Sequence, residues 1–331
     1  MENQNQTPHK RRVRYKGKYP KKFEEKYKEL QPEKYKDTIE HVIQKGNTPA
    51  GMHISIMVKE ILDFLNIQPG ETGFDATLGY GGHTKAMLQC LNGKGHIYAT
   101  DVDPEESDKT KKRLADQGFG EDLLTVKLQN FCTIDEIAKE VGGFDFILAD
   151  LGVSSMQIDN PKRGFSFKVD GPLDLRLNQD AGISAAERLD TITRDELAGM
   201  LYENSDEPYC EELAKAITDE IRKGNRIDTT TKLRQVIEKT LDFLPEKEKK
   251  DTIKKTCQRT FQALRIDVNR EFEVLYEFME KLPDALRPGG RVAILTFHSG
   301  EDKLVKAALK EGYRAGVYSA YSKDVVRPSA E

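Results

Sequence analysis

Short apolar runs recur through the first half of the chain, with amphipathic segments around them. The apolar runs lie at residues 72–78, 96–100, 123–128 and 144–151, and the last is almost unbroken. Apolar positions at helical spacing are found at 58–65, 84–91 and 133–141. Unbroken apolar runs are typical of strands in a parallel sheet that is covered on both faces. This alternation predicts a doubly wound α/β domain.

The alternation stops after the fourth predicted strand. Between residues 155 and 255 helical patterns dominate, at 185–189, 195–201, 211–222 and 230–244. A longer amphipathic helix is then predicted at 268–286, a strand at 291–297 and a helix at 301–310. The whole pattern predicts a Rossmann-like sheet with an inserted all-helical domain. The predicted units are an N-terminal arm at 1–47, a sheet domain at 48–154 and 256–331, and the helical domain at 155–255.

Charge is distributed unevenly along the chain. The net charge is −4 over 331 residues, yet the first 22 residues hold eight Lys or Arg and a single acid, Glu2. A basic arm of this kind attracts polyanions such as RNA. A solvated tail without a partner is the equally open alternative.

The sequence disfavours several classes of protein. No apolar run has the roughly 18 residues that a membrane span needs, and the N-terminus lacks the apolar core of a secretion signal. We therefore expect a cytoplasmic protein that does not contact a membrane. The four cysteines are scattered and nothing resembles a zinc or calcium loop, so no metal is expected.

A glycine-rich turn follows the first predicted strand. The segment from Asp75 to His83 reads Asp-Ala-Thr-Leu-Gly-Tyr-Gly-Gly-His, at the strand end where doubly wound sheets bind ligands. Three of its glycines allow a ligand to approach the backbone closely: Gly79, Gly81 and Gly82. Asp101 follows Gly79 by 22 positions, a spacing that suits a ribose diol. Alone, the turn fits a structural turn, a dinucleotide site or an adenosylmethionine site.

Residues at the ends of the later strands narrow this choice. Phe131 follows the third strand, where it could flank an adenine, and Asp150 ends the fourth, facing the place where a methyl group would be presented. The third glycine of the dinucleotide fingerprint is absent, since Thr84 stands in the next helix instead. No hydride-relay residue is evident, which disfavours a dinucleotide-dependent oxidoreductase. The set favours a methyltransferase that uses S-adenosyl-L-methionine.

Longer motifs carry a family resemblance over the region from His53 to the end of the chain. After the glycine turn they are, in order, Asp150-Leu-Gly-Val-Ser-Ser, Arg163-Gly-Phe-Ser-Phe, Asp170-Gly-Pro-Leu-Asp-Leu-Arg, Arg259-Thr-Phe-Gln-Ala-Leu-Arg and Phe297-His-Ser. The sequence resembles the bacterial RsmH (MraW) family of 16S ribosomal RNA cytosine-N4 methyltransferases. The resemblance implies methylation of a cytosine near the decoding centre, with 16S RNA in the small ribosomal subunit as the partner.

The resemblance also implies a set of contacts to S-adenosyl-L-methionine. In this sequence they fall on Gly81, Gly82, His83, Asp101, Phe131, Asp150 and Gln157. His83 and Gln157 rest on the resemblance alone, whereas the other five were already singled out by their positions at the strand ends.

The catalytic and substrate-binding candidates lie after the fourth and the last predicted strands. Asp150 can accept hydrogens from the cytosine amine, and we take Ser154 of the same loop and His298 as further catalytic candidates. A structural or substrate-orienting role is the alternative for His298. The remaining candidates are Phe165 or Phe167 as a stacking face for a flipped base, and Arg163, Arg259 and Arg265 as phosphate contacts. For all five, core packing or salt bridges are open alternatives.

Three departures from the family pattern qualify the resemblance. The basic arm suggests the second-copy branch of the family, Gly300 replaces a usual Leu after His298, and the chain ends at Glu331 where members continue into a basic segment. The last departure implies that a final strand and some RNA contacts are missing. A methyltransferase for another RNA base and a non-catalytic ribosome assembly factor are the alternative functions, and a homodimer is one option for the assembly.

Overall fold

A computed structural model describes residues 55–328 of the chain. The predicted arm at residues 1–47 lies outside this range. Among the described residues, no helix combines the length and apolar character required to cross a membrane.

Five parallel strands form a single sheet in the order β3-β2-β1-β4-β5. They are β1 (Thr72–Asp75), β2 (His96–Asp101), β3 (Leu124–Leu128), β4 (Phe144–Asp150) and β5 (Leu286–Leu295). The order reverses between β1 and β4, and ligands of doubly wound sheets bind beside such a reversal, at the carboxyl ends of the strands. The predicted α/β fold is thereby confirmed.

Helices cover both faces of the sheet, as the apolar strands require. Four precede or separate the first strands: α1 (Val58–Leu65), α2 (Gly82–Leu91), α3 (Pro104–Asp116) and α4 (Ile134–Val141). Helices α1 to α3 pack on the face that carries Ile97, Phe146 and Leu148. Helix α4 packs on the opposite face, against the core that holds Ile147 and Ala149. Alternation of side chains along β4 thus serves two separate cores.

The segment between β4 and β5 is helical, as predicted. It contains α5 (Ser155–Asp159), α6 (Ala185–Thr191), α7 (Arg194–Ser205), α8 (Cys210–Arg222), α9 (Thr230–Thr240) and α10 (Glu246–Asn269), followed by α11 (Glu271–Ala285). A third apolar core joins α6 to α10, with Leu197, Leu213 and Leu264 fully buried. Residue 255, where the sequence places a domain boundary, lies inside α10, and the domain limits themselves remain predictions. Helix α12 (Ser299–Arg314) follows β5.

Two local predictions near the return to the sheet differ from the structure in detail. The helix expected at 268–286 is α11, but it begins at Glu271, because Arg270 takes a left-handed φ of 51° and α10 ends at Asn269. The turn expected at 287–290 lies within β5, where the pairing jumps from Phe144–Leu286 to Phe146–Arg291. The extra residues form a bulge, which inserts unpaired residues without ending the strand.

Candidate functional site

The glycine turn lies at the carboxyl end of β1 and leads directly into α2. Gly79 and Gly81 have positive φ values of 48° and 76°, a conformation that glycine adopts without strain. A Cβ at Gly79 would meet only the Thr77 carbonyl oxygen, at 3.9 Å, so the space beside it is open. At Gly81 and Gly82 the protein fills this space, since a Cβ would lie 2.7 Å from Thr110 Cγ2 and 2.1 Å from Ser55 Oγ. Room for a ligand against the backbone is therefore found at Gly79, and the cofactor contacts of Gly81 and Gly82 stay predictions.

Asp75 closes β1 as a buried carboxyl group. Its Oδ2 accepts a hydrogen bond of 2.6 Å from the Thr84 hydroxyl, and its Oδ1 accepts one of 3.1 Å from the Thr77 N–H. Burial raises the pKa of Asp75 to about 6, although Thr84, the nearby His83 and the Thr77 N–H act to lower it. The site therefore contains a carboxyl group that gains its proton close to neutral pH.

Asp101 ends β2 and holds the glycine turn in place. Its Oδ2 accepts from the Gly79 N–H at 2.8 Å and its Oδ1 from the Asp103 N–H at 2.9 Å. Burial raises the pKa of Asp101, and these backbone N–H groups offset only part of the increase. Each carboxylate oxygen has more than one lone pair, so the group retains capacity for the hydroxyls of a ribose.

Phe131 lies after β3 on the same edge of the sheet. Its ring meets the ring of Phe278 in α11 edge-on, with centroids 5.2 Å apart, and remains partly exposed. The Asn130 side chain accepts from the Cys132 N–H at 3.2 Å and so fixes the turn that carries Phe131. An aromatic face at this position suits an adenine.

Asp150, at the end of β4, is held from two sides. Its N–H donates to the Thr77 hydroxyl oxygen at 2.8 Å, and its Oδ2 lies 3.3 Å from Nδ1 of His83. Its Oδ1 is buried and makes no hydrogen bond to any residue that the structure describes. A buried acceptor without a partner costs free energy, and at a ligand site it is available to a donor on the ligand.

Arg163 does not have the exposure that a phosphate contact needs. It is 5% exposed, and its Nη1 donates to Asp103 Oδ2 at 2.7 Å while its Nη2 donates to the Leu177 carbonyl at 2.6 Å. Asp103 is also buried and accepts from Gln157 Nε2 at 3.1 Å. The phosphate-contact prediction for Arg163 is therefore withdrawn, and the residue ties the segment after α5 to the start of α3.

Ser154 and Gln157 form a reciprocal cap at the start of α5. The Ser154 hydroxyl accepts from the Gln157 N–H at 3.1 Å, and Gln157 Oε1 accepts from the Ser154 N–H at 2.9 Å. This capping box satisfies N–H groups that a helix start would otherwise leave unpaired. Both side chains thus have a structural use in the loop after Asp150, and a direct role in catalysis or cofactor binding stays a prediction.

The two predicted stacking residues differ in position. Phe165 belongs to the core of the helical segment and is 9% exposed, so its ring faces are covered and the stacking prediction does not fit it. Phe167 is partly exposed and packs edge-on against Phe261, with centroids 5.7 Å apart. Of these two residues, Phe167 is therefore the one whose ring is partly accessible to a ligand.

His298 caps α12 from the end of β5. Its Nδ1 accepts from the Glu301 N–H at 3.4 Å, its Nε2 lies 3.2 Å from Glu301 Oε1, and its ring packs on Phe272. These contacts favour the structural alternative over a role as a general base.

One cluster of possible metal ligands is found within the described part of the chain. Atoms of Glu271, His298 and Glu301 lie within 4.8 Å of one another. Arg265, however, donates two hydrogen bonds of 2.8 and 2.9 Å to Glu271, and Glu301 Oε2 accepts from the Phe297 N–H at 2.8 Å. Because a guanidinium already neutralises one of the carboxylates, the cluster is a salt-bridge network. Arg265 is thereby committed to Glu271 and not to a phosphate.

Arg259 is the predicted phosphate contact that retains solvent exposure. Its side chain is 39% exposed, and its Nη1 lies 3.9 Å from Oε2 of the fully buried Glu207. Burial raises the pKa of Glu207, although Tyr209, Arg259 and Thr256 act to lower it. The Arg259 guanidinium can therefore face solvent while the aliphatic part of the same side chain packs on the helical core.

The sequence interpretation missed a second aromatic residue at the sheet edge as a possible stacking face. Phe297 follows β5 and is 57% exposed, and a Cβ on Gly152 would lie 3.6 Å from its Cδ2. Gly152, with φ of +91°, comes two residues after Asp150. Phe297 is part of the Phe-His-Ser motif, so its place at the end of a strand was the available signal.

Comparison with known proteins agrees with this geometry. A family model described as the MraW methylase family matches residues 50–319. The chain is 86% identical to "Ribosomal RNA small subunit methyltransferase H 1" of Agathobacter rectalis, over 98% of this chain and 93% of that protein. It is 69% identical to a protein of the same name from Lachnoclostridium phytofermentans, over 99% and 90%. It is 61% identical to "Ribosomal RNA small subunit methyltransferase H 2" of Alkaliphilus metalliredigens, over 97% and 92%.

The residues at the sheet edge fit S-adenosyl-L-methionine. The open glycine turn, a carboxylate at the end of β2 and an aromatic ring after β3 match its amino-acid, ribose and adenine parts, and Asp150 supplies a buried acceptor that none of the described residues satisfies. Together with the family match over most of its length, this establishes that the chain belongs to the MraW methylase family and is a methyltransferase that uses S-adenosyl-L-methionine.

Proposed function

We propose that this enzyme methylates the N4 amine of a cytosine in 16S ribosomal RNA, near the decoding centre of the small subunit. The observation that carries the proposal is its identity of 61 to 86% with proteins named as small-subunit ribosomal RNA methyltransferases. We also propose that the enzyme acts in the bacterial cytoplasm, where its ribosomal RNA substrate is found. The choice of cytosine N4 rests on the family resemblance and on the acceptor geometry at Asp150.

The cytosine amine is a poor nucleophile because its lone pair is delocalised into the ring. An enzyme gains rate by holding the nitrogen in line with the methyl group and by accepting its hydrogens as positive charge develops. Asp150 Oδ1 is a buried acceptor with no hydrogen bond to any described residue. His83 contacts the other oxygen of this carboxylate, and the backbone N–H of Asp150 donates to the Thr77 hydroxyl oxygen. We assign this oxygen to a hydrogen of the amine.

Bound S-adenosyl-L-methionine supplies a methyl group on a positively charged sulfur. Gly79, Gly81 and Gly82 would hold its amino-acid part along the turn, Asp101 its ribose and Phe131 its adenine. The side chains of His83 and Gln157 are engaged with protein groups, so their contacts to the cofactor would use remaining hydrogens or the backbone.

Phe297 is our candidate for the stacking face of the flipped base. Its ring is exposed beside Gly152, close in sequence to Asp150, whereas the ring of Phe165 is covered. Enzymes that modify a base in a folded RNA stack the extruded base on aromatic or apolar side chains. Phe297 provides such a surface at the sheet edge.

The helical segment offers a second surface for RNA. A groove of about 510 Å³ is lined by Phe167 together with Arg234, Lys249, Lys250 and Lys254, and by the acids Glu238, Glu246 and Asp251. Arg234 pairs with Glu238, and Lys249 pairs with Asp242 and Glu246. We propose that flanking nucleotides contact this groove through Lys250 and Lys254, with Phe167 as its aromatic element. Arg259 lies on the same helix as the three lysines, and we propose it as the accompanying phosphate contact.

Methyl transfer to small ribosomal subunits that lack N4 methylation tests the proposal. Labelled S-adenosyl-L-methionine should place its label in N4-methylcytidine after nucleoside digestion, and Asp150→Asn should lose most of this activity because it replaces one acceptor oxygen with an amide group. Label in another nucleoside would support a different base as substrate. Cofactor binding without label in any RNA would support the non-catalytic assembly factor.

A further inference from the structure

His83 is buried in the first turn of α2, with both ring nitrogens facing acceptor atoms. Nε2 lies 2.8 Å from the Ile56 carbonyl oxygen, and Nδ1 lies 3.3 Å from Asp150 Oδ2. The segment that carries Ile56 packs tightly on the glycine turn, since a Cβ on Gly82 would lie 2.1 Å from Ser55 Oγ. The ring therefore bridges the segment before α1 and the end of β4.

Together, the two contacts of the His83 ring determine how many protons the His83–Asp150 pair holds. A carbonyl oxygen only accepts, so Nε2 must carry a hydrogen. A neutral imidazole would then present the lone pair of Nδ1 to a carboxylate, which is repulsive. The His83–Asp150 pair must therefore hold one further proton between Nδ1 and Oδ2. The groups that face the ring are the Ile56 carbonyl from the segment before α1, Asp75 from β1 and Asp150 from β4. Two acids beside the ring favour the imidazolium form.

We propose that His83 is a positioning residue for methyl transfer: with hydrogens on both ring nitrogens, it holds Asp150 Oδ2 so that Oδ1 is left for the amine of the substrate. This inference rests on the proposed function, because it assigns the acceptor of the amine hydrogen. It gives the histidine of the glycine turn a task in the transfer step that is separate from contact with the cofactor.

The charge environment of His83 favours the protonated ring. Burial lowers the pKa of His83, but the hydrogen bond and charge of Asp150, the Ile56 carbonyl and the charge of Asp75 outweigh it, so the pKa is raised above 6.5. The bridging proton is present below the raised pKa and is lost as the pH rises through it. We therefore expect kcat to fall as the pH rises through this raised pKa, when Nδ1 no longer donates to Asp150.

Two substitutions separate the contacts of the ring. Asn at position 83 places an amide N–H near the site of Nδ1, so it can still donate to Asp150 but does not titrate. Gln places its amide near the site of Nε2, so it keeps the Ile56 contact and loses the one to Asp150. His96 on β2 bonds to the Thr125 hydroxyl and the Asp122 carbonyl, away from the glycine turn, and His96→Gln is the matched control.

The experiment measures kcat from pH 6 to 9 on small ribosomal subunits at saturating cofactor, together with the Kd for S-adenosyl-L-methionine. At pH 7 we expect His83→Gln to lower kcat about a hundredfold, a loss typical of a misplaced catalytic group. We expect His83→Asn to stay within about tenfold of the wild type and to lose the alkaline fall. Both should bind the cofactor within about threefold of the wild type, and His96→Gln should match it.

Three outcomes would overturn the inference. His83→Gln could be as active as His83→Asn, which would reduce the ring to an anchor for the Ile56 segment. His83→Asn could keep the wild-type alkaline fall. If neither variant binds the cofactor, the wild-type enzyme provides the test. A wild-type kcat that stays constant up to pH 9 would then contradict the inference. Each comparison uses relative rates, so it holds whichever nucleoside receives the label, and the nucleoside analysis tests the proposed function separately.

Discussion

The carboxyl edge of the sheet and the core of the helical segment differ in how many ionisable groups they bury. At the sheet edge, Asp75 and Asp101 are ionisable groups whose pKa values are raised by burial, and Asp150 has an oxygen with no partner among the described residues. In the helical segment the core from α6 to α10 is apolar, with Glu207 as its one fully buried acid in the described chain. Both regions leave buried polar atoms without a partner among the described residues: Glu207 Oε2 and Thr260 Oγ1 in the helical segment, and Asp150 Oδ1 at the sheet edge. The sheet edge differs in that several ionisable groups lie together where the charged ligand binds.

Arg163 joins these two regions, and its removal should have the largest effect. Arg163→Ala leaves Asp103 buried without its cation, which should lower the free energy of unfolding by about 3 to 5 kcal/mol. Urea denaturation measures this. Arg194→Ala, which removes an exposed pair with Glu211 at 3.4 Å, is the control and should change stability by less than about 1 kcal/mol. Equal effects of the two variants would show that the Asp103–Arg163 pair does not join the regions.

Substitution of Phe297 tests the sheet edge without touching the cofactor residues. Stacking of a base on an aromatic ring contributes about 1 to 3 kcal/mol, so Phe297→Leu should lower kcat/KM about tenfold to a hundredfold. The Kd for S-adenosyl-L-methionine should not change. Tyr276→Leu, at an exposed aromatic residue on α11, is the matched control. If the two variants have the same kcat/KM, the base stacks elsewhere, and Phe167 becomes the next candidate.

The pH dependence of stability tests the buried acid at the sheet edge. The pKa of Asp75 is raised from 3.8 to about 6 in the folded chain, so the folded state binds its proton more tightly than the unfolded state. Stability from this group is therefore greatest at low pH and is lost as the pH rises towards and past 6.

Between pH 5 and pH 7 the wild type should lose about 1 kcal/mol relative to Asp75→Asn, which cannot titrate there. Denaturation at the two pH values measures the difference. Asp251→Asn, at an exposed acid, should keep the wild-type dependence. A constant difference between wild type and Asp75→Asn would mean that Asp75 does not bind a proton in this range.

The smallest effect is expected from the basic arm. If it binds RNA phosphates, removing residues 1–22 should make the dependence of log Kd on log salt shallower, by roughly 0.7 to 0.9 for each phosphate that the arm neutralises. Filter binding at several salt concentrations measures this. Replacing the eight basic residues with Ser at constant length should give the same change. An unchanged slope would support the alternative of a passive tail.

The sequence was most informative where local pattern determines structure. The strand ends, the glycine turn and the helical segment follow from apolar spacing and from glycine, and all were predicted. The prediction of a residue's role failed where that role depends on a partner that is distant in the sequence. Arg163 was predicted to contact a phosphate because no residue near it in the sequence indicates its pairing with Asp103, which is 60 positions away. Phe165 was a stacking candidate because burial depends on helices that come later in the chain.

The break at Arg270 shows a second limit. Apolar spacing continues through residues 268–286, so the pattern alone starts the helix at residue 268, whereas α11 begins at Glu271. The left-handed Arg270 is flanked by tertiary contacts: Asn269 donates to the Leu175 carbonyl at 2.7 Å, and Arg265 binds Glu271 through two hydrogen bonds. Such contacts hold a non-glycine residue in a conformation that it rarely adopts. The spacing of apolar residues in the sequence does not reveal these contacts.

The insertion of the helical segment between β4 and β5 has a consequence for the order of folding. The His96–Thr125 bond between β2 and β3 closes a separation of 29 residues, whereas the Asp145–Arg287 pair between β4 and β5 closes one of 142. Closing the longer loop costs roughly 1.4 kcal/mol more chain entropy if the intervening segment is unstructured. During synthesis, four strands leave the ribosome before β5 does. The helical core therefore has time to form first, and by compacting the loop it brings the last edge of the sheet within reach.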